Sequence, residues 1–509
     1  MTVQDPAAAP VGTTAAGQPP SLGRVVRDIA VYGSGDLLLR GATIITLPIY
    51  TRYLVPQDYG AMSLVISLSS FATGFLILGV DIAYARYYFE TREHESRRLL
   101  TTSALTFVAL WGCGVTAVCL PFVGFFSEWA FGSSNRSTLF TITLIAAPLT
   151  LLNQLLAQIL RNEFRPTLFS ILSGLTSAIT ISTSLIAVTV FDLGVKGILL
   201  GVAVGAGALL PVRLWLARAY LVRRLEMRIV RKLLGFGLPL VPTAVAWWVF
   251  DLSDRIIVGR AAGLRELGLY TVAVSLASTL ALFTSALGQA WSPHAFKIYE
   301  EAPALAATFF GRAFTLILVG FGVLCVALTA FARPLLMLLS TPPFYDAARA
   351  VGPLALGFVA WATIQVTASG ISLTKKTGYF AAYSWLAAGC NVGLNLLFVP
   401  RFGMLAAAWS TFVAYFLLTV AYMATSQRLW RVHYERRRAA SAAILIVLFT
   451  AAYQYLPHFQ LAPALALALG WCILFVVAIA ALNVIDPRTL RPVMSRLTRG
   501  RRISERHST

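Results

Sequence analysis

The sequence predicts an all-α integral membrane protein with about fourteen transmembrane helices. Three observations predict this class: apolar stretches recur along the chain, short basic loops separate them, and only 12% of the residues are charged. About 20 residues of helix cross the hydrocarbon core, and a backbone in lipid must satisfy its polar groups internally, as a helix does. The predicted spans are 29–50, 60–82, 99–125, 138–160, 167–191, 194–217, 233–258, 267–290, 308–331, 349–371, 378–399, 402–425, 440–457 and 461–483.

Basic residues lie mainly on one predicted side of the membrane. With a cytoplasmic N-terminus, 31 of the 41 Lys and Arg residues fall on the cytoplasmic side. The positive-inside rule therefore predicts that both termini are cytoplasmic. The formal net charge of +20 then reflects contact with the anionic headgroups of the lipid bilayer. No pattern typical of nucleic-acid binding accompanies it, so nucleic acid is not an expected partner.

The two ends of the chain are predicted to lie outside the membrane. Residues 1–20 lack a basic start and an apolar core, so they predict a disordered cytoplasmic tail rather than a signal peptide. Residues 486–509 predict a basic cytoplasmic tail on the inner leaflet. All five cysteines fall in predicted spans and form no CxxC pair, so we expect packing residues rather than disulfides or a metal site.

The first span carries two charges near its middle, Asp36 and Arg40. They are four residues apart and therefore share one face of the helix. A charge at the bilayer centre costs about 2.5–3.5 kcal/mol on insertion scales, so such residues normally face a bundle interior or a wet cavity. Two interpretations stay open. In the first, Asp36 is an ion-coupling residue and Arg40 is a substrate-binding residue. In the second, the two residues form an internal pair that holds the span in place.

An internal repeat organises the first twelve spans. Residues 51–68 align with residues 259–276, and the alignment places Gly60 over Gly268. A second match, at nearly the same offset, lies where the sixth span of each half begins. Each half has six spans, an even number, so the repeat is parallel. Transporters built this way bind their substrate between the two halves.

The repeat predicts an N-lobe at 21–232, spans 1 to 6, and a C-lobe at 233–432, spans 7 to 12. Residues 433–485 contain spans 13 and 14, which lie outside the repeat. These two spans form a lateral lid, a lipid-tail groove or a scaffold, and the sequence leaves the three roles open. The loops between spans are too short to form a domain. No nucleotide-binding P-loop is present, so we expect neither ATP hydrolysis in this chain nor a cofactor.

Span 7 carries three charges toward its predicted outer end: Asp251, Asp254 and Arg255. Pro239 and Pro242 interrupt the start of the same span and predict a bend. Carboxylates on a bent helix indicate an ion-coupling site for a proton or another cation. A salt bridge at the outer surface is the structural alternative.

Basic residues at the predicted inner ends of helices form the candidate substrate site. Arg86 ends span 2, while Arg165 and Lys375 follow spans 4 and 10 at similar places in the two halves. Together with Arg40 they predict a basic mouth that attracts a phosphate-bearing substrate. The alternative is that they anchor the topology by reaching the headgroups.

Four segments, in order, resemble the spans of one known family. They are ITLPIYTRYLVPQDYGAMSL (45–64), LGVDIAYARYYFE (78–90), DLSDRIIVGRAAGLRELGLYTVA (251–273) and NVGLNLLFVPRFGMLAAAWST (391–411). They resemble bacterial polysaccharide flippases, the polysaccharide transport branch of the multidrug/oligosaccharidyl-lipid/polysaccharide (MOP) flippase superfamily. The ordered set carries the resemblance, because no single segment is specific. The positions that match the family pattern are Arg52, Gly60, Arg86, Asp254, Arg255 and Gly268.

The resemblance implies a MATE-like fold, with two six-helix lobes that form a V around a central, often cationic cavity. It implies that the protein translocates an undecaprenyl-pyrophosphate-linked oligosaccharide across the bacterial inner membrane by alternating access, without ATP. The product serves O-antigen, capsule or exopolysaccharide synthesis. The resemblance further implies H⁺ or Na⁺ as coupling ions, and a polysaccharide polymerase and glycosyltransferases as partners.

Three other functions stay open on the sequence. A lipid II flippase has the same chain pattern. A cation-coupled multidrug antiporter of the same superfamily is expected to carry a more acidic cavity than these basic residues suggest. A membrane glycosyltransferase or polymerase needs a long external loop with catalytic carboxylates, and the short loops disfavour it. We therefore expect a transporter and not an enzyme.

Overall fold

The computed structural model describes residues 46–484 except 92, 164, 302, 375, 377 and 458. Within this range every regular element is a helix and no strand forms. Ten helical segments in this range, several of which join two of the helices numbered below, are long and apolar enough to cross a membrane. The predicted all-α membrane architecture is therefore confirmed, and the protein is a multi-pass membrane protein.

The first half of the described chain forms helices joined by short turns. Leu78 and Gly79 both adopt positive φ, so α2 and α3 form one long pass with a break between them. Prolines open α2 and α7, where a missing amide hydrogen costs no helical hydrogen bond. The helices are α1 (46–53), α2 (Pro56–Leu76), α3 (Val80–Glu90), α4 (His94–Cys119), α5 (Val123–Phe131), α6 (Ser137–Asn162), α7 (Pro166–Thr189), α8 (Gly194–Ala208) and α9 (Leu210–Ala217).

The predicted boundary between the lobes, at 232/233, falls inside the helix Met227–Gly237, and the second half is described from the start of that helix. This half adds two helices at its end. The prolines at 239 and 242 predict a bend, and Met227–Leu240 meets Ala244–Ala261 at 46°. The helices are α10 (Met227–Gly237), α11 (Val241–Ala261), α12 (Leu264–Ala277), α13 (Thr279–Glu301), α14 (Pro303–Leu339), α15 (Ala348–Thr367), α16 (Ser369–Leu373), α17 (Gly378–Leu429), α18 (Arg436–Tyr453) and α19 (Leu461–Ala481).

Helix α17 contains two predicted spans. Its 52 residues would extend about 78 Å as a straight helix, more than twice the thickness of the hydrocarbon core. Gly403 breaks the helix with φ 57° and ψ −139°, a conformation that favours glycine. The described residues contain ten helices that pass as membrane spans, or eleven with the bent pair. The count of fourteen is therefore not confirmed.

The largest apolar cluster joins the two halves at their predicted outer ends. It includes Leu64 and Val65 of α2, Leu267 and Val272 of α12, and Phe344 between α14 and α15, all nearly or fully buried. Helix α2 packs along α12 through this cluster. The repeat-equivalent helices thus form the principal contact between the halves in the described part of the chain.

Helices α18 and α19 pack on α14, outside the repeat. A Cβ at Gly322 of α14 would overlap the Ile446 side chain of α18, so this glycine permits the two helices to lie close together. Ile446 of α18 and Phe475 of α19 are buried in a second apolar cluster, separate from the one that joins the halves. The two added helices are therefore firmly packed on the second half.

A buried polar cluster and two contacts between the halves

A buried polar cluster surrounds Asp254 of α11, whose side chain is only 6% exposed. The Tyr270 hydroxyl of α12 donates to Oδ2 of Asp254 at 2.5 Å, and the Thr411 hydroxyl of α17 donates to the same oxygen at 3.1 Å. The Ser253 hydroxyl lies 3.4 Å from Oδ1. These hydroxyl groups compensate a carboxylate that would otherwise be costly in a low-dielectric interior.

Two buried amides extend this cluster along α17. The Asn395 amide donates to Oδ1 of Asn391 at 3.0 Å, and the Ser253 hydroxyl donates to the same oxygen at 3.2 Å. Both asparagines are fully buried. Nδ2 of Asn391 and Oδ1 of Asn395 are buried with no hydrogen-bond partner among the described residues. Such orphan atoms are costly, which indicates a site that takes a further polar partner.

The chemistry of the cluster suits a proton or a small hard cation. It offers carboxylate, hydroxyl and amide oxygens, which are the ligands that hard cations prefer. Across the described residues, no three His, Cys, Asp or Glu side chains are grouped so that they could hold a metal ion. The cluster therefore differs from the His- and Cys-based sites of transition metals.

The other residues predicted for ion coupling and family motifs lie in different surroundings. Asp251 belongs to α11, but its side chain is outside the described residues, as is the whole of Asp36. Arg255 is half-buried in α11, next to Asp254 in the chain, and Arg52 is exposed at the end of α1. Of the three carboxylates predicted for ion coupling, the described side chains place Asp254 in a built polar site.

Two of the four predicted substrate-binding residues are described, and both are exposed at the predicted inner ends of helices. Nε of Arg86 pairs with Glu90 at 2.9 Å, and its guanidinium lies 4.6 Å from the centre of the Phe236 ring. Arg165 directly precedes α7. Arg40 and Lys375 lie outside the described residues.

The halves are closed at the predicted outer end. A Cβ at Gly60 would overlap the carbonyl of Leu264, and a Cβ at Gly268 would overlap the carbonyl of Pro56. These two glycines, aligned by the repeat, therefore let the backbones of α2 and α12 touch.

Polar contacts support the same closure. The Arg260 guanidinium hydrogen-bonds the Trp129 carbonyl and lies 4.4 Å from the centre of the Trp129 ring. The Thr341 hydroxyl donates to the Thr51 carbonyl at 2.9 Å. Each pair joins the first half of the chain to the second.

A smaller contact joins the halves at the predicted inner end, between α3 and α10. A Cβ at Gly79 would lie 2.7 Å from the Gly237 carbonyl oxygen. The Lys232 ammonium lies 4.1 Å from the centre of the Tyr87 ring, which in turn meets Phe236 edge to face at 5.9 Å. The contact also buries apolar side chains, including Val80 of α3 and Leu233 of α10, in a cluster separate from the one at the outer end.

A pocket of about 240 Å³ opens in the predicted inner part of the second half. Trp291, Gln365, Ser369, Ser372 and Phe380 line it. The Trp291 indole donates to the Ser369 hydroxyl at 3.3 Å. Gln365, a polar residue of span 10, is half-buried and faces this pocket.

Sequence reasoning missed most of the Asp254 cluster. It identified Asp254 from its charge, but not Tyr270, Thr411, Asn391 or Asn395. One signal was present: the two asparagines are four residues apart in an apolar span, so they lie on one helix face. A pair of amides on one face inside the membrane is a polar site by default.

The fold is shared with solved transporters. A structure of the lipid II flippase MurJ in an inward closed conformation superposes with a TM-score of 0.72 at 12% identity, covering 91% of this chain and 100% of that chain. A multidrug resistance MATE family transporter of the MOP superfamily superposes in its inward-facing conformation with a TM-score of 0.57 at 16% identity, over 79% of this chain and 95% of that chain. Its outward-facing conformation gives 0.56 at 16% identity, over 82% and 96%.

These likenesses confirm the predicted MATE-like fold. No curated protein matches the chain. The family described as "polysaccharide biosynthesis protein" matches residues 25–299, more than half of the 509 residues. The match includes α2, α3, α10 and α12, which build both contacts between the halves, and α11, which contributes Asp254. The chain thus belongs to the polysaccharide biosynthesis protein family.

Proposed function

We propose that the protein moves an undecaprenyl-pyrophosphate-linked oligosaccharide from the inner to the outer leaflet of the bacterial cytoplasmic membrane. Membership of the polysaccharide biosynthesis family, over residues 25–299, is the observation that carries this proposal. A fold in common with a lipid II flippase supports it. A polysaccharide polymerase or glycosyltransferase on the outer face then consumes the translocated lipid.

Movement of the substrate proceeds by alternating access between the two halves. The closure between Gly60 and Gly268 corresponds to a state in which the outer path is shut. Outward release requires α2 and α12 to separate and the inner contact between α3 and α10 to hold. The inner pocket beside Trp291 and Gln365 receives sugar groups before this change.

Basic residues at the inner end compensate the diphosphate. A diphosphate that enters a low-dielectric cavity needs nearby positive charge. Arg86 and Arg165 are exposed there, and Arg40 and Lys375 complete the proposed set. Arg86 exchanges its carboxylate partner Glu90 for the phosphate, since two surface ion pairs of this kind differ little in energy.

The Asp254 cluster couples transport to H⁺ or Na⁺. Asp254 supplies the charge, while Thr411 and the orphan Asn395 oxygen supply neutral ligands. The cluster lies in α11, α12 and α17, and α11 and α12 also contact α2. An ion bound there therefore biases the same helices that close the outer end. Asp251 and Asp36 are further proposed ion-coupling residues.

The test is reconstitution of the purified protein in liposomes. We expect the protein to move an undecaprenyl-diphosphate oligosaccharide between leaflets, and an imposed Na⁺ or H⁺ gradient to change the rate. Deleting the gene should stop surface polysaccharide and leave lipid-linked repeat units in the inner leaflet. Faster movement of lipid II would replace this function with that of a lipid II flippase. Intact surface polysaccharide with raised sensitivity to cationic drugs would replace it with that of an antiporter.

A further inference from the structure

An apolar groove of about 520 Å³ runs between α17 and α18 on the outside of the second half. Phe416, Val420 and Met423 of α17 form one wall, and Ala443 and Val447 of α18 form the other. Phe416 and Val420 are about half exposed. The groove is thus an open crevice on a surface that faces lipid, separate from the Asp254 cluster and the inner pocket.

The packing of α18 creates this groove. The helix lies against α14, where Gly322 admits the Ile446 side chain, and it also contacts α15 and α19. Hydrogen bonds to α14 and to the end of α17 fix the position of the loop before it. The His433 amide donates to the Ala307 carbonyl at 3.1 Å, and the Gln427 side chain clamps both backbone groups of Val432, at 2.8 and 3.1 Å.

The length of the groove matches one leaflet. Along α18 it extends from Arg436 to Val447, which is about 16 Å of helix. The hydrocarbon core is about 30 Å thick, so the groove covers roughly half of it, from the predicted inner surface to the midplane. One acyl chain of an inner-leaflet lipid fits this depth, whereas the much longer polyprenyl chain of the proposed substrate would extend beyond it.

The inner end of the groove is polar and basic. Gln427, Tyr434 and Arg436 line it, and Arg436 is exposed at the first position of α18. The hydroxyl of Tyr434 is buried with no hydrogen-bond partner among the described residues. The carboxylate nearby, Glu435, is neutralised by Arg438 at 2.7 Å. It makes no capping hydrogen bond to the helix, whose N-terminal amides and dipole favour an anion.

We propose that this groove is a binding site for an anionic phospholipid of the inner leaflet. One acyl chain lies between α17 and α18, and the phosphate meets the Arg436 side chain and the backbone amides at the start of α18. Charge complementarity selects an anionic headgroup over a zwitterionic one, as expected for a basic pocket between helices on the cytoplasmic side. Bound lipid fills the space that protein packing leaves open and braces α18 against the second half.

Native mass spectrometry of the full chain in detergent tests this site. The probes are phosphatidylglycerol and phosphatidylcholine with identical acyl chains. We expect phosphatidylglycerol to bind more tightly, and Arg436→Gln to weaken its binding roughly fivefold, the usual effect of one basic residue at an anionic headgroup. Arg437→Gln is the matched control, because Arg437 is the next residue of the same helix and is exposed outside the groove.

A second variant tests the groove itself. Ala443→Phe fills the wall of α18 and should abolish binding of both lipids, while the melting temperature of lipid-free protein shows that the variant is folded. Equal binding of the two lipids would overturn the proposal, as would an equal loss in Arg437→Gln. Displacement of phosphatidylglycerol by equimolar undecaprenyl phosphate would assign the groove to the substrate tail instead.

Discussion

At the scale of single residues, Asp254 accepts hydrogen bonds from hydroxyl groups of two other helices, whereas Arg86 pairs with one surface carboxylate. The first arrangement is buried and leaves orphan amide atoms beside it; the second is exposed to solvent. Separating a buried carboxylate from its hydrogen-bond partners costs much free energy, but a buried carboxylate also interacts strongly with an added proton or cation. An exposed pair exchanges partners at little cost. This difference supports the proposal that Asp254 couples transport to an ion and that the basic residues capture the substrate.

The charge of Asp254 can be removed with almost no change in shape. We expect Asp254→Asn to abolish the dependence of transport on an ion gradient, a coupling of roughly 5- to 150-fold, while the protein still folds. The measurement is the liposome translocation rate with and without the gradient. The control is Asp346→Asn, because Asp346 is exposed and pairs loosely with Arg265 at 3.8 Å. Unchanged ion dependence in Asp254→Asn would exclude the cluster as the coupling site.

A substitution of Asn395 distinguishes an ion-binding role of its amide from a structural role. Its Oδ1 is an orphan, and Asn391 keeps the Ser253 hydroxyl when Asn395 is replaced. We expect Asn395→Leu, which has nearly the same size, to leave the melting temperature unchanged or higher and to weaken ion coupling. A lower melting temperature with normal coupling would show that the amide serves packing alone.

The sequence identifies charges inside spans far better than it identifies their partners. Asp254 was predictable because a lone carboxylate in an apolar helix is rare. Asn391 and Thr411 were not, because amides and hydroxyls occur widely in spans and their direction depends on tertiary packing. Gly403 sets the relative direction of the two parts of α17, so Asn391 before it and Thr411 after it meet neighbouring residues of α11, Ser253 and Asp254. No local pattern encodes that meeting.

At the scale of elements, the contact of α2 with α12 was partly predictable. The repeat aligned Gly60 with Gly268, and the structure places them at the closest approach of the two backbones. The bend at the start of span 7 followed from two prolines. The span count did not follow so directly, because α18 begins with three arginines and α17 joins two passes without a loop.

A methyl group at the α2–α12 contact has no space, since the opposing atoms are backbone. We expect Gly60→Ala to weaken the outer closure by about 1–3 kcal/mol, the usual cost of overpacking. Cysteines introduced as Thr51→Cys and Thr341→Cys, in a chain without its native cysteines, report the closure by cross-linking yield. The cross-linking yield should be lower with Gly60→Ala than in the parent protein that carries the two cysteines alone.

Gly389→Ala is the matched control for this substitution, because nothing lies within 4 Å of its added methyl group in α17. Its cross-linking yield should equal that of the parent protein. A similar yield for Gly60→Ala and the parent would mean that α2 and α12 do not form the outer gate.

At the scale of the whole molecule, the orientation of the protein in the membrane decides which contact between the halves is outer and which is inner. The positive-inside rule places the loop between α17 and α18 in the cytoplasm and the Gly403 turn outside. A membrane-impermeant maleimide should label Arg401→Cys in intact spheroplasts, and Arg431→Cys only after lysis; both side chains are exposed. The reverse pattern would exchange the inner and outer ends throughout.

Gly60 and Gly268 are counterparts in the repeat, and each faces the backbone beside the other. A residue that touches its own counterpart is the mark of a two-fold axis, and in a symmetric dimer this arrangement is an isologous interface. The seam between the halves is therefore an interface that one ancestral half-length protein could have made with a second copy of itself. If the two halves were synthesised as separate polypeptides, divided between α9 and α10, each would retain the surface through which it assembles with the other.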